Sequence, residues 1–425
     1  MRYPYKKFIF ENYSFENNTA KFEYSFDDVL KFKEEIEFKF DGNTDNLDNA
    51  LNLAFFVLGT SYYKCFPVAD YELRTGTIDK NTADFLNLVY SEGLGEFIYK
   101  NQLDPQDLIK FIPNKVSILP DINADNSGML LMQSGGKDSL LAKSLIEEKS
   151  LEFDQLYVSI GGLVPGILKA EDRLKIIDRR LDTRSIETAK SKGALNGHVP
   201  FSAILLCLSL IAAKILGKEY ILASNEWSAN EPNTHYNGLP INHQFSKSYN
   251  FELAASKVIG DSVSKKIKYG SVLRPFSDLK VAELFAKKCW DSYKDRFSSC
   301  NVANYHQNQE SEKLKWCGRC PKCASTFLLM APFVDSGELI NVFGANLLSL
   351  SELDETYKEL LGLANIKPFE CVGEIEEMRQ AYKMAVQKDT VFKNDNISLP
   401  ETNFNYKIQH DHQEFIEQFI DLRDL

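Results

Sequence analysis

One stretch constrains the fold of this 425-residue chain more than any other: Gly128–Ser139, GMLLMQSGGKDS. The apolar run Met129–Met132 predicts a buried parallel strand, and Leu140–Glu148 predicts a helix. Between them lies Ser134-Gly135-Gly136-Lys137-Asp138-Ser139. A strand, a tight glycine turn and a helix N-terminus together make an anion site. The glycines let the backbone approach closely, and the free N–H groups and the helix dipole favour phosphate. The spacing is not Gly-x4-Gly-Lys-Ser/Thr. Taken alone, these residues also fit an ordinary strand–helix turn, with Asp138 and Ser139 as plain N-terminal helix residues.

The rest of the chain narrows the class. Its length allows two or three domains. Hydrophobic content of 44% and charged content of 26% are those of a soluble globular protein. The net charge of −11 disfavours nucleic acid as a partner through bulk electrostatics, although a local basic groove stays open. The start, MRYPYKKFIF, lacks the apolar core of a secretory signal. The most apolar run, Val199–Ala213, is too short to span a bilayer and predicts a buried helix, so no membrane association is expected. Three of the eight cysteines cluster tightly, which is not a disulfide framework; a reducing cytoplasm is the natural compartment.

Residues 1–125 open with period-two patterns, Phe22/Tyr24/Phe26 and Ile36/Phe38/Phe40, which predict antiparallel strands. Asn17-Asn18 and Asp41-Gly42-Asn43 supply turns, and Leu47–Leu58 a helix. This region is expected to be an N-terminal α+β domain that binds substrate. Residues 126–333 alternate strand and helix: Gln155–Ile160 and Tyr220–Ala223 are strands, and Val199–Leu216 the helix before the latter. The rhythm predicts an α/β fold with a parallel sheet, whose ligands sit at the carboxyl ends of the strands. The polar run Ser224–Asn233 follows one such strand, and Asn242–Ser248 comes after it. Helical Phe251–Gly260 follows, then a short strand and turn at Ser271–Phe276. Residues 334–425 are expected to be a helical extension with a polar, partly loose tail from Asp389.

Cys317, Cys320 and Cys323, with Cys300 upstream, fit a structural four-sulfur zinc site; reduced buried thiols are the alternative. Cys65, Cys207, Cys289 and Cys371 are scattered and are expected to be inert core thiols. His198 precedes the buried helix, where it either binds nucleotide or caps the helix. His243 lies in the polar run after the third strand and favours a site role. His235 and His306 are expected to be solvated, and His410 and His412 carry no role. Lys64 follows two tyrosines and is equally a surface lysine; Glu96 and Lys100 fit a simple i,i+4 helix pair.

With these residues in view, SGGKDS resembles the signature of the PP-loop ATP pyrophosphatase superfamily. Its members cleave ATP between the α and β phosphates and pass AMP to an oxygen. Words spread along the chain resemble the MurL-type UDP-N-acetylmuramoyl-L-alanyl-L-glutamate epimerases. They are SYYK (Ser61–Lys64), GLGEFIYKN (Gly93–Asn101), QSGGKDS (Gln133–Ser139), NGHVP (Asn196–Pro200) and NEWSANEPN (Asn225–Asn233). NHQFSKS (Asn242–Ser248), CPKCASTFLLMAPF (Cys320–Phe333) and KPFECVGE (Lys367–Glu374) complete the set. The resemblance implies ATP- and Mg2+-dependent inversion of the terminal L-glutamate of UDP-MurNAc-L-Ala-L-Glu, releasing AMP and pyrophosphate, in peptidoglycan synthesis. It implies that Ser134, Gly135, Gly136, Lys137, Asp138 and Ser139 hold the phosphates, that Asp138 helps position magnesium, and that Asn225, Glu226 and Asn230 line the nucleotide or acyl group. Candidates for moving the proton are His198, His243, Lys64 and Lys247, with Glu96 also open. Rival readings are a cyanodeazaguanine-synthase-like or tRNA-modifying relative, or a nucleotide sensor without catalysis. The long segment before the loop counts against the first, the acidic chain against the second, and the intact Ser-Gly-Gly-x-Asp-Ser against the third.

Overall fold

The computed structural model describes residues 3–121, 126–306, 313–423 and 425. Strands β1 (Lys7–Glu16), β2 (Thr19–Phe26) and β3 (Leu30–Phe38) form an antiparallel meander. Asn17 and Asn18 both take positive φ, 51° and 56°, so β1 and β2 are joined by a two-residue turn that asparagine tolerates. Strand β4 (Asp70–Leu73) adds parallel to β1. Strands β5 (Met129–Met132), β6 (Phe153–Ile160), β7 (Leu174–Arg180) and β8 (Tyr220–Ala223) are mutually parallel where they pair. Strands β9 (Thr234–Tyr236) and β10 (Leu239–Ile241) make a small separate hairpin, and β11 (Lys268–Ser271) pairs parallel with β8. The main sheet has nine strands in the order β11-β8-β5-β6-β7-β3-β2-β1-β4.

Strand β3 pairs antiparallel with β7, so the N-terminal meander extends the parallel strands as one mixed sheet. A buried ion pair lies at this join. Arg179 Nε donates to Glu34 Oε1 at 2.5 Å, and its guanidinium also donates to Ser61 Oγ at 2.9 Å.

The parallel strands are covered on both faces, and alternation along each strand divides their side chains between two cores. Leu130, Leu156 and Ile221 belong to one core; their neighbours Leu131, Tyr157 and Leu222 belong to the other. The first core contains the aromatic residues of β1 and β2 and the helices Asp48–Leu58 and Phe201–Leu216. The second contains the helices Lys137–Glu148, Asp278–Lys288, Pro321–Met330 and Ile375–Lys388. The helix Phe201–Leu216 is apolar on almost every side because core surrounds it. It stops at Gly217, which takes φ +64°. Among the described residues no helix is long and apolar enough to cross a membrane.

The structure corrects three local expectations. Phe40 lies outside β3, and the last strand of the sheet runs over Lys268–Ser271, with the turn following it. The region beyond 334 holds helices Ser336–Phe343, Asp354–Leu360 and Ile375–Lys388, separated by short turns and loops. The tail is not loose. Ile416, Phe419 and Ile420 are buried, and Phe415 packs on the Tyr220 ring, 5.7 Å between centroids. Gln413 donates to the Tyr269 carbonyl at 2.7 Å, and the tail thereby covers the β11 edge of the sheet.

Candidate functional site

Strand order reverses at β5: the chain steps one way to β6 and β7, and the other way to β8 and β11. Ligands of open parallel sheets bind outside the carboxyl ends of the strands at such a point. The glycine loop leaves β5 there, and Ser224–Glu226 leave β8 beside it. Gly135 takes φ +76°, and a Cβ at that position would come within 2.9 Å of Ile167 and 3.0 Å of Leu314. Only glycine satisfies both constraints. Ser139 Oγ accepts from the Ser134 amide at 3.3 Å, and Ser134 Oγ accepts from the Gly136 amide at 3.3 Å. These bonds fold the loop over the first turn of Lys137–Glu148, whose amides have no intrahelical acceptor. Gln133 Oε1 and Ser224 Oγ, on the two strand ends, are buried without a protein partner.

Charge is concentrated around this loop. Lys137 is buried and donates to Asp278 at 2.7 Å and also to Asp138. Burial opposes its charge, but the two carboxylates hold its pKa above the usual lysine value. Burial, followed by the carboxylates of Asp278 and Asp138, pushes Glu226 up to about 7. Burial and then the Asp278 carboxylate raise buried Glu377 to about 8. Asp138 and Asp278 are thus both paired with the buried Lys137 ammonium.

A second constellation lies beside the first. Glu96 Oε2 is 2.5 Å from His243 Nδ1 and 3.8 Å from His198 Nδ1, and the two imidazole rings are 4.4 Å apart. Lys100 pairs with the other Glu96 oxygen at 2.6 Å. Lys247 Nζ is 3.2 Å from Cys371 Sγ. The signs alternate along this line. Burial would raise the Cys371 thiol, but the Lys247 ammonium and then the nearby His243 bring it down to about 6. Burial would lower His243, but Cys371 and Glu96 lift it to about 9. Burial would raise Glu96, but His243 and Lys100 hold it at about 2. Burial and then the His243 charge push His198 down to about 3, so it is a neutral imidazole. Each shift favours the charged form of its group, so Cys371, His243 and Glu96 support one another's charges along the line from Lys247. The Lys100 ammonium on Glu96 makes Glu96, His198 and His243 a proton network rather than a cation cage.

The position of Cys371 is fixed by its neighbours. Lys322 Nζ donates to the Cys371 carbonyl at 2.6 Å, and Gln244 to the Val372 carbonyl at 3.0 Å. Asn233 donates to the Pro368 carbonyl at 2.6 Å, and Lys367 pairs with Glu231 at 2.7 Å. Arg274, fully buried, donates to the Glu226 and Lys247 carbonyls, both at 2.6 Å, and pairs with buried Glu252 at 3.0 Å. It thereby holds the two polar runs in fixed relation.

Asp138, Glu226, His198, His243 and Lys247 thus lie within these two constellations. Lys64 stands slightly apart: its ammonium donates to Asn196 Oδ1 and the Gly197 carbonyl, both at 2.9 Å, and so anchors the loop carrying His198. The Asn225 carbonyl accepts from Ser271 Oγ at 2.6 Å. Asn230 donates to the Trp227 carbonyl at 2.7 Å and accepts the Tyr249 amide at 2.8 Å, so its amide already has partners within the loop. The expectation that Cys371 is an inert core thiol is overturned: it is half-buried, charge-paired and part of the site. Arg274, Asp278, Lys322 and Glu377 were not among the expected residues. A lysine or arginine inside an otherwise apolar word, as in SVLRPF, was the available signal.

Cys300, Cys317, Cys320 and Cys323 converge, with all four sulfurs within 4.8 Å of one another. The sulfurs of Cys300 and Cys320 are 3.7 Å apart, those of Cys317 and Cys323 also 3.7 Å, and those of Cys320 and Cys323 3.5 Å. This set could hold a metal ion. It lies at the start of the helix Pro321–Met330, which carries Lys322 to Cys371.

Comparison with known proteins agrees across the chain. Residues 1–272 match the MurL N-terminal domain and residues 296–414 the MurL C-terminal domain. A UDP-N-acetyl-alpha-D-muramoyl-L-alanyl-L-glutamate epimerase of Xanthomonas oryzae pv. oryzae is 34% identical over 80% of this chain and 75% of its own. Proteins of the same name from a Micromonospora species and from Salinispora tropica are each 31% identical, over 90% and 87% of this chain and 87% and 82% of their own. The chain belongs to the MurL family and is an enzyme of the epimerase class.

Proposed function

We propose that this protein inverts the terminal L-glutamate of UDP-MurNAc-L-Ala-L-Glu to the D form at the expense of ATP, as a cytoplasmic step in peptidoglycan precursor synthesis. The observation that carries the reading is the adjacency of an anion-binding glycine loop and a separate acid–base line, bridged by Lys247 between Asp138 and Glu226 on one side and Cys371 on the other. The α-hydrogen beside a carboxylate is poorly acidic, because the carbanion would sit next to a negative charge. Transfer of AMP to that carboxylate removes the charge, and the resulting acyl group can enolise.

Ser134, Gly135, Gly136, Lys137, Asp138 and Ser139 hold the departing pyrophosphate, as in a PP-loop enzyme. Mg2+, when bound with ATP, would offset phosphate charge, and Asp138 at the loop would help position it. The four-cysteine knot fits a structural Zn2+ that ties Cys300 to the segment carrying Lys322. Residues 1–125 contribute Glu96, Lys100 and Lys64, and hold the peptide end of the substrate. Once the acyl group is activated, the α-proton is taken on one face and returned on the other by the nitrogen and acid groups of the second constellation. Hydrolysis then frees the product.

The test is incubation with ATP, Mg2+ and UDP-MurNAc-L-Ala-L-Glu, followed by chiral analysis of the glutamate and assay of AMP. D-glutamate formed together with AMP and pyrophosphate is the expected result. ATP retained with no inversion contradicts the reading.

A further inference from the structure

The two consecutive glycines of the loop are each met by a side chain from far along the chain. A Cβ at Gly135 would come within 3.0 Å of Leu314 Cδ1, and one at Gly136 within 2.8 Å of Ser299 Oγ. Gly136 has φ −87° and ψ 167°, a backbone that any residue adopts. What a side chain there would meet is the Ser299 hydroxyl and, at 3.4 Å, the Ser134 hydroxyl. Both hydroxyls therefore stand on the same side of Gly136, and Ser134 Oγ is also 3.2 Å from Ser139 Oγ. Ser299 thus brings a third hydroxyl to the two serines of the loop.

The backbone on either side of Ser299 is clamped. Ser298 Oγ donates to the Lys315 carbonyl at 2.7 Å and accepts from the Cys300 amide at 3.1 Å. Asn304 ties the same residues together, donating to Ser298 Oγ at 3.1 Å and accepting from the Lys315 amide at 2.9 Å. Cys300 belongs to the four-cysteine knot. The Ser299 hydroxyl itself is half-buried and has no hydrogen-bond partner among the described residues. The lysine of the loop, by contrast, is already engaged, since Lys137 donates to Asp138 and Asp278. A hydroxyl can donate to an anion there without competing for those carboxylates as a cation would.

We propose that Ser299 is a phosphate-binding residue, its hydroxyl donating to an oxygen of pyrophosphate, or of the same phosphates in ATP, beside the Gly136 amide. This rests on the reading of the glycine loop as the pyrophosphate site. Leu314, buried against Gly135, closes that side of the loop to water, where a hydrogen bond to a charged group gains strength. Ser298–Cys300 and Leu314–Lys315 thereby form a second wall of the cradle, mounted on the cysteine knot.

The test is calorimetric titration of the full chain with pyrophosphate and Mg2+, and separately with adenosine, for wild type and Ser299→Ala. The variant should bind pyrophosphate about ten- to a hundred-fold more weakly, the effect of losing a hydrogen bond to a charged group. Its adenosine affinity and its melting temperature should match the wild type. Unchanged pyrophosphate affinity overturns the proposal. So does an equal loss for adenosine, or a variant that does not fold, since either marks Ser299 as a structural residue. The two readings fail differently: if wild-type protein binds no pyrophosphate, the reading of the loop has failed and this assignment with it. If wild type binds it and Ser299→Ala binds it equally well, only the Ser299 assignment has failed.

Discussion

The glycine loop and the Glu96–His243–Cys371 line lie side by side but are built in opposite ways. The loop is contiguous: twelve consecutive residues carry strand, turn and helix start, and the bonds among Ser134, Gly136 and Ser139 close it on itself. The line draws one or two residues from each of three distant segments, around positions 96–100, 243–247 and 371. It exists only because Arg274, Lys322 and Asn233 hold those segments in register. Phosphate is bound largely by backbone geometry, which a short word can encode. Directed proton transfer needs side chains approaching a carbon from different directions, which no single helix or turn supplies.

That division predicts how the two parts fail. The largest effect is expected for Asp138→Asn, which removes a loop carboxylate. It should cut both ATP cleavage and inversion by a hundredfold or more, on the order of the loss of a charge-stabilising group. An assay of AMP release beside chirality checks this, and intact ATP-dependent inversion would break the comparison.

Next is Arg274→Met. It leaves Glu252 buried without its partner and deprives the Glu226 and Lys247 carbonyls of a donor, so a loss of about 3–5 kcal/mol in denaturant unfolding is expected. Cys317→Ser tests the support behind Lys322. Metal content measured by elemental analysis should fall from one ion per chain, and the melting temperature should fall with it.

The smallest effect concerns Glu96. Its folded pKa of about 2 lies below the ordinary 4.5, so its stabilising contribution is full above pH 4.5 and is lost as pH falls toward 2. Glu96→Gln should therefore flatten melting temperature against pH in that window, and, because Glu96 helps hold His243 at about 9, should also weaken the loss of stability between pH 6.5 and 9.

The same contrast explains what could be read from sequence. The strands at Met129–Met132 and Tyr220–Ala223 and the helix Phe201–Leu216 were legible because their apolar patterns are local. Strand β7 was not: LKIIDRR ends in two arginines, and it is a strand because β6 and β3 flank it and Glu34 neutralises Arg179. The tail reads as polar, yet Ile416, Phe419 and Ile420 recur at helical spacing and find the β11 edge. In the site, the four-cysteine knot was legible from Cys-x2-Cys-x2-Cys and one upstream thiol. Glu96 and Lys100 did form the i,i+4 pair their spacing suggests, but the second Glu96 oxygen faces His243, 147 residues away. Cys371 carried no local sign of its chemistry, since the Lys247 and His243 beside its sulfur are more than 120 residues distant in sequence.

The central claim is that the loop makes the α-proton removable and the assembled line removes it. Wild-type enzyme in D2O with UDP-MurNAc-L-Ala-L-Glu, with and without ATP, tests this most directly when α-deuterium is read by mass spectrometry. The account predicts deuterium uptake only when ATP is present, accompanied by AMP and pyrophosphate. Uptake at the same rate without ATP would contradict it.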